Sequence, residues 1–161
     1  MRSAYERVAT LEEVLRRAGE LSAKTLVLDV EPLVAYWDSG QEALDQGVEA
    51  VLARARELPG VQVVCFATNS FRRPSVPLAG DGVRTVYLVS AGKPLRTEYY
   101  RTFPRPGVVI GDQLATDGVL ARRIGYAFLQ YHPDMRSLPF GPRLMDLSGQ
   151  LLRPLFFTRP R

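Results

Sequence analysis

The sequence predicts a Rossmann-like α/β domain: a mostly parallel sheet with helices on both faces. Short apolar runs rich in β-branched residues recur at Thr25 to Leu28, Val61 to Phe66, Val83 to Val89, Val108 to Ile110 and Tyr126 to Leu129. Helical patterns separate most of them, and strands that alternate with helices build a parallel sheet covered on both sides. Polar residues of catalytic type stand where four of these runs end, the edge at which such sheets bind ligands.

Thr10 and Glu13 have the spacing of a capping box. Leu11, Val14, Leu15, Ala18 and Leu21 follow at helical intervals, so a first helix runs to about Gly19. The first strand stops at the acidic pair Asp29 and Glu31. Ser39 and Glu42 suggest a second capping box, followed by the one-sided stripe Ala43, Leu44, Val48, Val51, Leu52, Ala55 and Leu58, which Pro59 and Gly60 end. The next strand leads into Ala67, Thr68, Asn69 and Ser70. Pro74, Pro77, Gly80 and Gly82 then argue against a helix between Phe71 and Gly82. The third strand ends before Lys93. A short helix is expected from Leu95 to Arg101 and another from Ala115 to Arg123, on either side of the strand that precedes Gly111 and Asp112.

A chain of 161 residues suits one domain. The expected division is a domain over residues 1–133 and a Pro- and Arg-containing extension over 134–161. Hydrophobic residues make up 46% and charged residues 24%, which is globular and excludes both disorder and a fibrous fold. The first residues lack the apolar stretch of a secretory signal and no run approaches roughly 18 apolar residues, so the expected location is cytoplasmic. Cys65, the single cysteine, sits in an apolar run and reads as a buried hydrophobe. The net charge of +4 rests on nineteen arginines and only two lysines, Lys24 and Lys93. It lacks the interleaved aromatic and basic pattern of a nucleic-acid strand surface, so no nucleic-acid partner is expected. The segment Leu151 to Phe157 is apolar with basic neighbours; it either docks on the domain or makes a peripheral membrane or protein contact.

A carboxylate at the end of a buried strand can attack phosphorus when a cation offsets its charge and that of the phosphate. Asp29 is placed for this. Asp112, at the end of another strand, is a second oxygen ligand of the kind magnesium prefers. Asp117 either supports a metal-bound water or answers a helix dipole. Thr68 and Asn69 offer a hydroxyl and N–H groups to phosphoryl oxygens. Lys93, in a chain that otherwise chooses arginine, supplies a compact ammonium that neutralises nucleophile and phosphate together. His132, in a Tyr-His-Pro turn, reads as structural.

The order of these motifs resembles that of the haloacid dehalogenase superfamily of aspartate-nucleophile phosphatases. More narrowly it is similar to subfamily IIIA proteins of the YqeG type, related to phosphatidylglycerophosphate phosphatases. The matching pieces are Asp29 with Trp37 and Asp38 downstream, Ala67-Thr68-Asn69, Lys93-Pro94, and Gly111-Asp112-Gln113-Leu114-Ala115-Thr116-Asp117 with Gly125. They cover roughly residues 5–133. The resemblance implies Asp29 as nucleophile, Mg2+ held by Asp29, the Glu31 backbone carbonyl and Asp112 with support from Asp117, and phosphate held by Thr68 and Lys93. It also implies an acid-base carboxyl two residues after the nucleophile, which here is Glu31; Pro32 and Leu33 follow where the family commonly has Asn and Thr. The spacings from Asp29 to Thr68 and from Thr68 to Lys93 leave no room for an inserted cap domain, which points to a large or lipid-like phosphate substrate. Two expectations follow: a capless Mg-dependent phosphomonoesterase or, given the altered loop at Glu31, a pseudophosphatase that binds phosphate or a protein without turnover.

Overall fold

The computed structural model describes residues 4–78 and 82–132. The expected C-terminal extension and its apolar segment lie outside the described residues. The elements run β1 Tyr5–Val8, α1 Leu11–Glu20, β2 Thr25–Asp29, α2 Gln41–Arg56, β3 Val63–Ala67, β4 Arg84–Leu88, a 3-10 turn Glu98–Tyr100, β5 Gly107–Gly111, a π-helical turn Leu114–Gly118, α3 Val119–Ile124 and β6 Ala127–Tyr131. The six strands form one sheet in the order β1-β6-β5-β2-β3-β4, with every pairing parallel.

Why these runs become central strands is visible in their burial. β2, β3 and β5 are buried at every position, as a strand covered on both faces must be. Alternate residues feed two cores. Leu26, Leu28, Val64, Phe66, Val108 and Ile110 pack with α1 and α2, whereas Val27, Val63, Cys65 and Val109 pack with α3 and the 3-10 turn. The chain therefore leaves β2 toward one face and β5 toward the other. Their carboxyl ends part at this switch point, and a crevice opens between the two connections.

The first capping box forms: the Thr10 hydroxyl accepts from the Glu13 N–H at 3.1 Å, and the Glu13 carboxylate accepts from the Ala9 N–H at 2.9 Å. The second does not. Gly40 is the N-cap of α2 and no side chain caps it; the Ser39 hydroxyl instead donates to the Tyr36 carbonyl at 2.7 Å. The expected helix from Leu95 to Arg101 shrinks to the 3-10 turn, since the tight Gly92–Arg96 turn takes up its first residues. The helix expected from Ala115 to Arg123 opens with the wider π turn and ends at Gly125, whose φ of 72° is the left-handed value that glycine tolerates. No helix forms over residues 71–78 of the Pro-rich loop.

Strand β1 is absent from the sequence reading. Glu6 and Arg7 interrupt its apolar pattern, and it is an edge strand held only by β6. Cys65 is fully buried, as expected. His132 extends the β1–β6 ladder by donating its N–H to the Val8 carbonyl at 2.9 Å. Among the described residues no helix is long and apolar enough to cross a membrane.

Candidate functional site

The crevice gathers the residues that the strand ends carry. Asp29 closes β2, Thr68 and Asn69 follow β3, Lys93 follows β4, and Asp112 follows β5. Their union is electrostatic. The Lys93 ammonium lies 2.7 Å from Asp29 Oδ1 and 2.7 Å from Asp117 Oδ1, with its side chain only 2% exposed. Carboxylate oxygens of Asp29, Asp112 and Asp117 all lie within 4.8 Å of one another.

Local structure explains each placement. In the π turn the Asp117 and Gly118 N–H groups both reach back to the Gln113 carbonyl, a wide loop that returns Asp117 beneath the end of β5. Asp117 Oδ2 accepts from the Gln113 N–H at 3.3 Å, so this carboxylate is held at both oxygens. Gly111 makes room for it, because a Cβ there would collide with the Asp117 carboxylate. Asn69 clasps the segment that carries Lys93: its amide accepts from the Lys93 N–H at 2.9 Å and donates to the Lys93 carbonyl at 3.1 Å. Its side-chain amide is thus committed to positioning Lys93. On the other flank Gln130 of β6 donates to the Asp112 carbonyl at 2.8 Å and accepts from the Tyr5 hydroxyl at 2.6 Å. The edge strand missed in the sequence therefore braces Asp112.

Burial disfavours the charge on Asp29 and holds its pKa well above the ordinary carboxylate range; Asp117 and Asp112 push the same way and Lys93 opposes. Burial alone would lower the pKa of Lys93, but Asp117 and Asp29 outweigh it and hold the ammonium protonated above its usual range. The Lys93 ammonium thus bridges two buried carboxylates, with that of Asp112 close by. These three carboxylates are hard oxygen donors close enough to one another to hold a metal ion.

Glu31 is buried but turned elsewhere. Its Oε2 accepts from the Thr68 hydroxyl at 2.7 Å, its Oε1 accepts from the Ser70 hydroxyl at 3.3 Å, and Arg72 approaches Oε1 at 3.6 Å. Its carboxylate stands outside the Asp29, Asp112 and Asp117 cluster. A cleft of about 130 Å³ opens between these groups, lined among others by Asp29, Glu31, Thr68, Lys93, Trp37 and Gln113.

The sequence reading missed four contributors: Ser70, Arg72, Gln113 and Gln130. Gln113 lay inside a quoted motif and Ser70 directly after one, so their positions were available. Nothing in the pattern singles out Arg72 among nineteen arginines, or Gln130 in its strand. No family model, curated protein or solved structure matches the chain.

Proposed function

We propose that this chain is a capless, magnesium-dependent phosphomonoesterase of the haloacid dehalogenase type, with Asp29 as nucleophile. The observation that carries the reading is the ammonium of Lys93 bridging the Asp29 and Asp117 carboxylates at the switch point of a parallel sheet, with Asp112 beside them. Mg2+ bound by Asp29, Asp112 and the Glu31 carbonyl, with Asp117 in support, would offset the negative charge of nucleophile and phosphate.

An Asp29 carboxylate oxygen attacks phosphorus, and the bond from phosphorus to the leaving oxygen breaks. The product is an aspartyl-phosphate, and the bonding pair departs with the leaving group. Water then attacks that phosphorus, frees inorganic phosphate and restores Asp29. Lys93 holds the nucleophile and stabilises the growing charge on the phosphoryl oxygens, and the Thr68 hydroxyl, which lines the same cleft, is a neutral donor to them. The connections where this family inserts caps are residues 30–40 and 68–83, too short for a domain. An open site of this kind suits a phosphate on a large or lipid-like substrate, and the reading carries with it a cytoplasmic enzyme.

The engagement of Glu31 favours a second reading. A carboxyl whose two oxygens are engaged by the Thr68 and Ser70 hydroxyls, with Arg72 approaching, is turned away from the position an acid needs beside the leaving group. A pseudophosphatase that binds phosphate or a protein partner without turnover has the same site. One assay separates them: release of phosphate from an activated aryl ester and from an alkyl ester, with and without Mg2+, for wild type and Asp29→Asn, with thermal melting in parallel. The enzyme reading expects Mg-dependent cleavage of the aryl ester, much slower cleavage of the alkyl ester, and loss of both in a folded Asp29→Asn protein. Full activity in that variant would remove Asp29 from the chemistry. Wild type that binds Mg2+ and phosphate but cleaves neither ester would establish the pseudophosphatase.

A further inference from the structure

We infer that Thr68, Ser70 and Arg72 form an anion subsite beside Asp29, in which the carboxylate of Glu31 stands in for phosphoryl oxygens of a bound phosphate dianion. The inference deepens the phosphate reading above and rests on it. What it adds is the assignment of Ser70 and Arg72 as phosphate ligands and of Glu31 as their resident competitor.

The donors are arranged before any ligand arrives. The Thr68 hydroxyl accepts the Ser70 N–H at 2.9 Å and the Ser70 hydroxyl accepts the Arg72 N–H at 3.3 Å, so backbone groups occupy a lone pair on each oxygen. The two hydroxyl oxygens also lie 2.8 Å apart, so one hydroxyl donates to the other and the remaining proton is given to Glu31. Arg72 is pinned independently of Glu31. Its Nη1 donates to the Tyr36 carbonyl at 2.8 Å and its Nη2 to the Ser39 carbonyl at 2.8 Å. Rotation of the Glu31 side chain therefore leaves a hydroxyl proton, relayed through the Thr68–Ser70 pair, and a fixed guanidinium aimed at one spot. That spot opens on the same cleft as Asp29 and Lys93.

A dianion with more acceptor lone pairs suits this set better than one carboxylate, since charged donors and acceptors form the strongest hydrogen bonds. Phosphate binding is then an exchange: Glu31 leaves Thr68, Ser70 and Arg72 as the phosphoryl oxygens take its place. The apparent affinity is lowered by the fraction of molecules in which Glu31 holds the subsite.

Calorimetric titration with inorganic phosphate in the presence of Mg2+ tests this, with the fluorescence of Trp37, the one tryptophan and a lining residue, as a second signal. Glu31→Gln removes the competing charge and should bind phosphate about tenfold more tightly than wild type. Ser70→Ala and Arg72→Met should bind it more weakly, the latter by about tenfold or more. Arg72→Lys should recover part of that loss. Arg72 also ties two loops together, so Ser70→Ala and Glu31→Gln carry the test if Arg72→Met melts early. Phosphate affinity unchanged in Ser70→Ala, or weakened in Glu31→Gln, would overturn the subsite while leaving the proposed function standing. No phosphate binding by wild type and Glu31→Gln alike would overturn both.

Discussion

Replacing Lys93 by methionine removes the cation that bridges Asp29 and Asp117. The stem of the side chain is nearly preserved, so the change is mainly electrostatic. Lys93, Asp29 and Asp117 have side chains 2%, 11% and 1% exposed, so no solvent takes over the lost interaction. Breaking a buried ion pair by deleting one partner costs roughly 3–5 kcal/mol. For a domain of this size that is a fall in Tm of about 6 to 20 °C. The loss depends on pH. Without the ammonium the folded-state pKa of Asp29, already held above its ordinary range by burial, rises further. The native state then binds more protons than the unfolded chain, and stability falls as pH rises through that window. In wild type the stabilisation from Lys93 is complete anywhere below the unfolded lysine pKa, so a comparison at about pH 5 and pH 8 isolates the carboxylates. Urea unfolding of both proteins at the two pH values measures the effect. The variant should be substantially closer to wild type at the lower pH. A difference under about 1 kcal/mol at both, or one that does not change with pH, would refute the claim that Lys93 neutralises buried carboxylates.

Two further predictions concern neighbouring parts of the site and core. Gly111→Ala places a methyl group against the Asp117 carboxylate, so the variant should lose about 1–3 kcal/mol of stability by urea unfolding and more activity than that loss explains; wild-type stability would show that Asp117 is not packed on β5. Burial pushes the Cys65 thiol up to about 12, so a thiol reagent near neutral pH should label it only as fast as the domain opens and fully only in denaturant; rapid stoichiometric labelling of native protein would contradict its place in the core.

The fold and the position of the candidate site were legible for one reason. A strand buried on both faces must be apolar at every position, so β2, β3 and β5 announce themselves as uninterrupted runs, and the first polar residue after each run marks the sheet edge. Asp29, Thr68 and Asp112 were found in this way, and Lys93 by its rarity. Helix α1 was equally plain because Thr10 and Glu13 both use their side chains as the spacing implies. Ser39 and Glu42 have the same spacing and do not. The chain enters α2 one residue later, at Gly40, with the Ser39 hydroxyl already turned to Tyr36. Spacing names a cap only when no other acceptor competes for the hydroxyl, and here the carbonyl three residues back does. β1 escaped because four residues with two charges show no period, and its strand geometry comes from the ladder that β6 offers.

The sequence by itself determined the layered α/β architecture, the edge at which chemistry can occur and the four residues that reach it, because burial periodicity and strand-end polarity are local properties of the chain. The tertiary structure alone decided how those residues are used. Strand order set Lys93 between Asp29 and Asp117, placed Gln130 of β6 behind Asp112 and brought Thr68, Ser70 and Arg72 around Glu31. The Glu31 contacts link residues 37 to 41 positions apart and the brace behind Asp112 spans 18. Which carboxylate faces a lysine and which faces a hydroxyl depends on distances across the sheet, and no spacing along the chain encodes those.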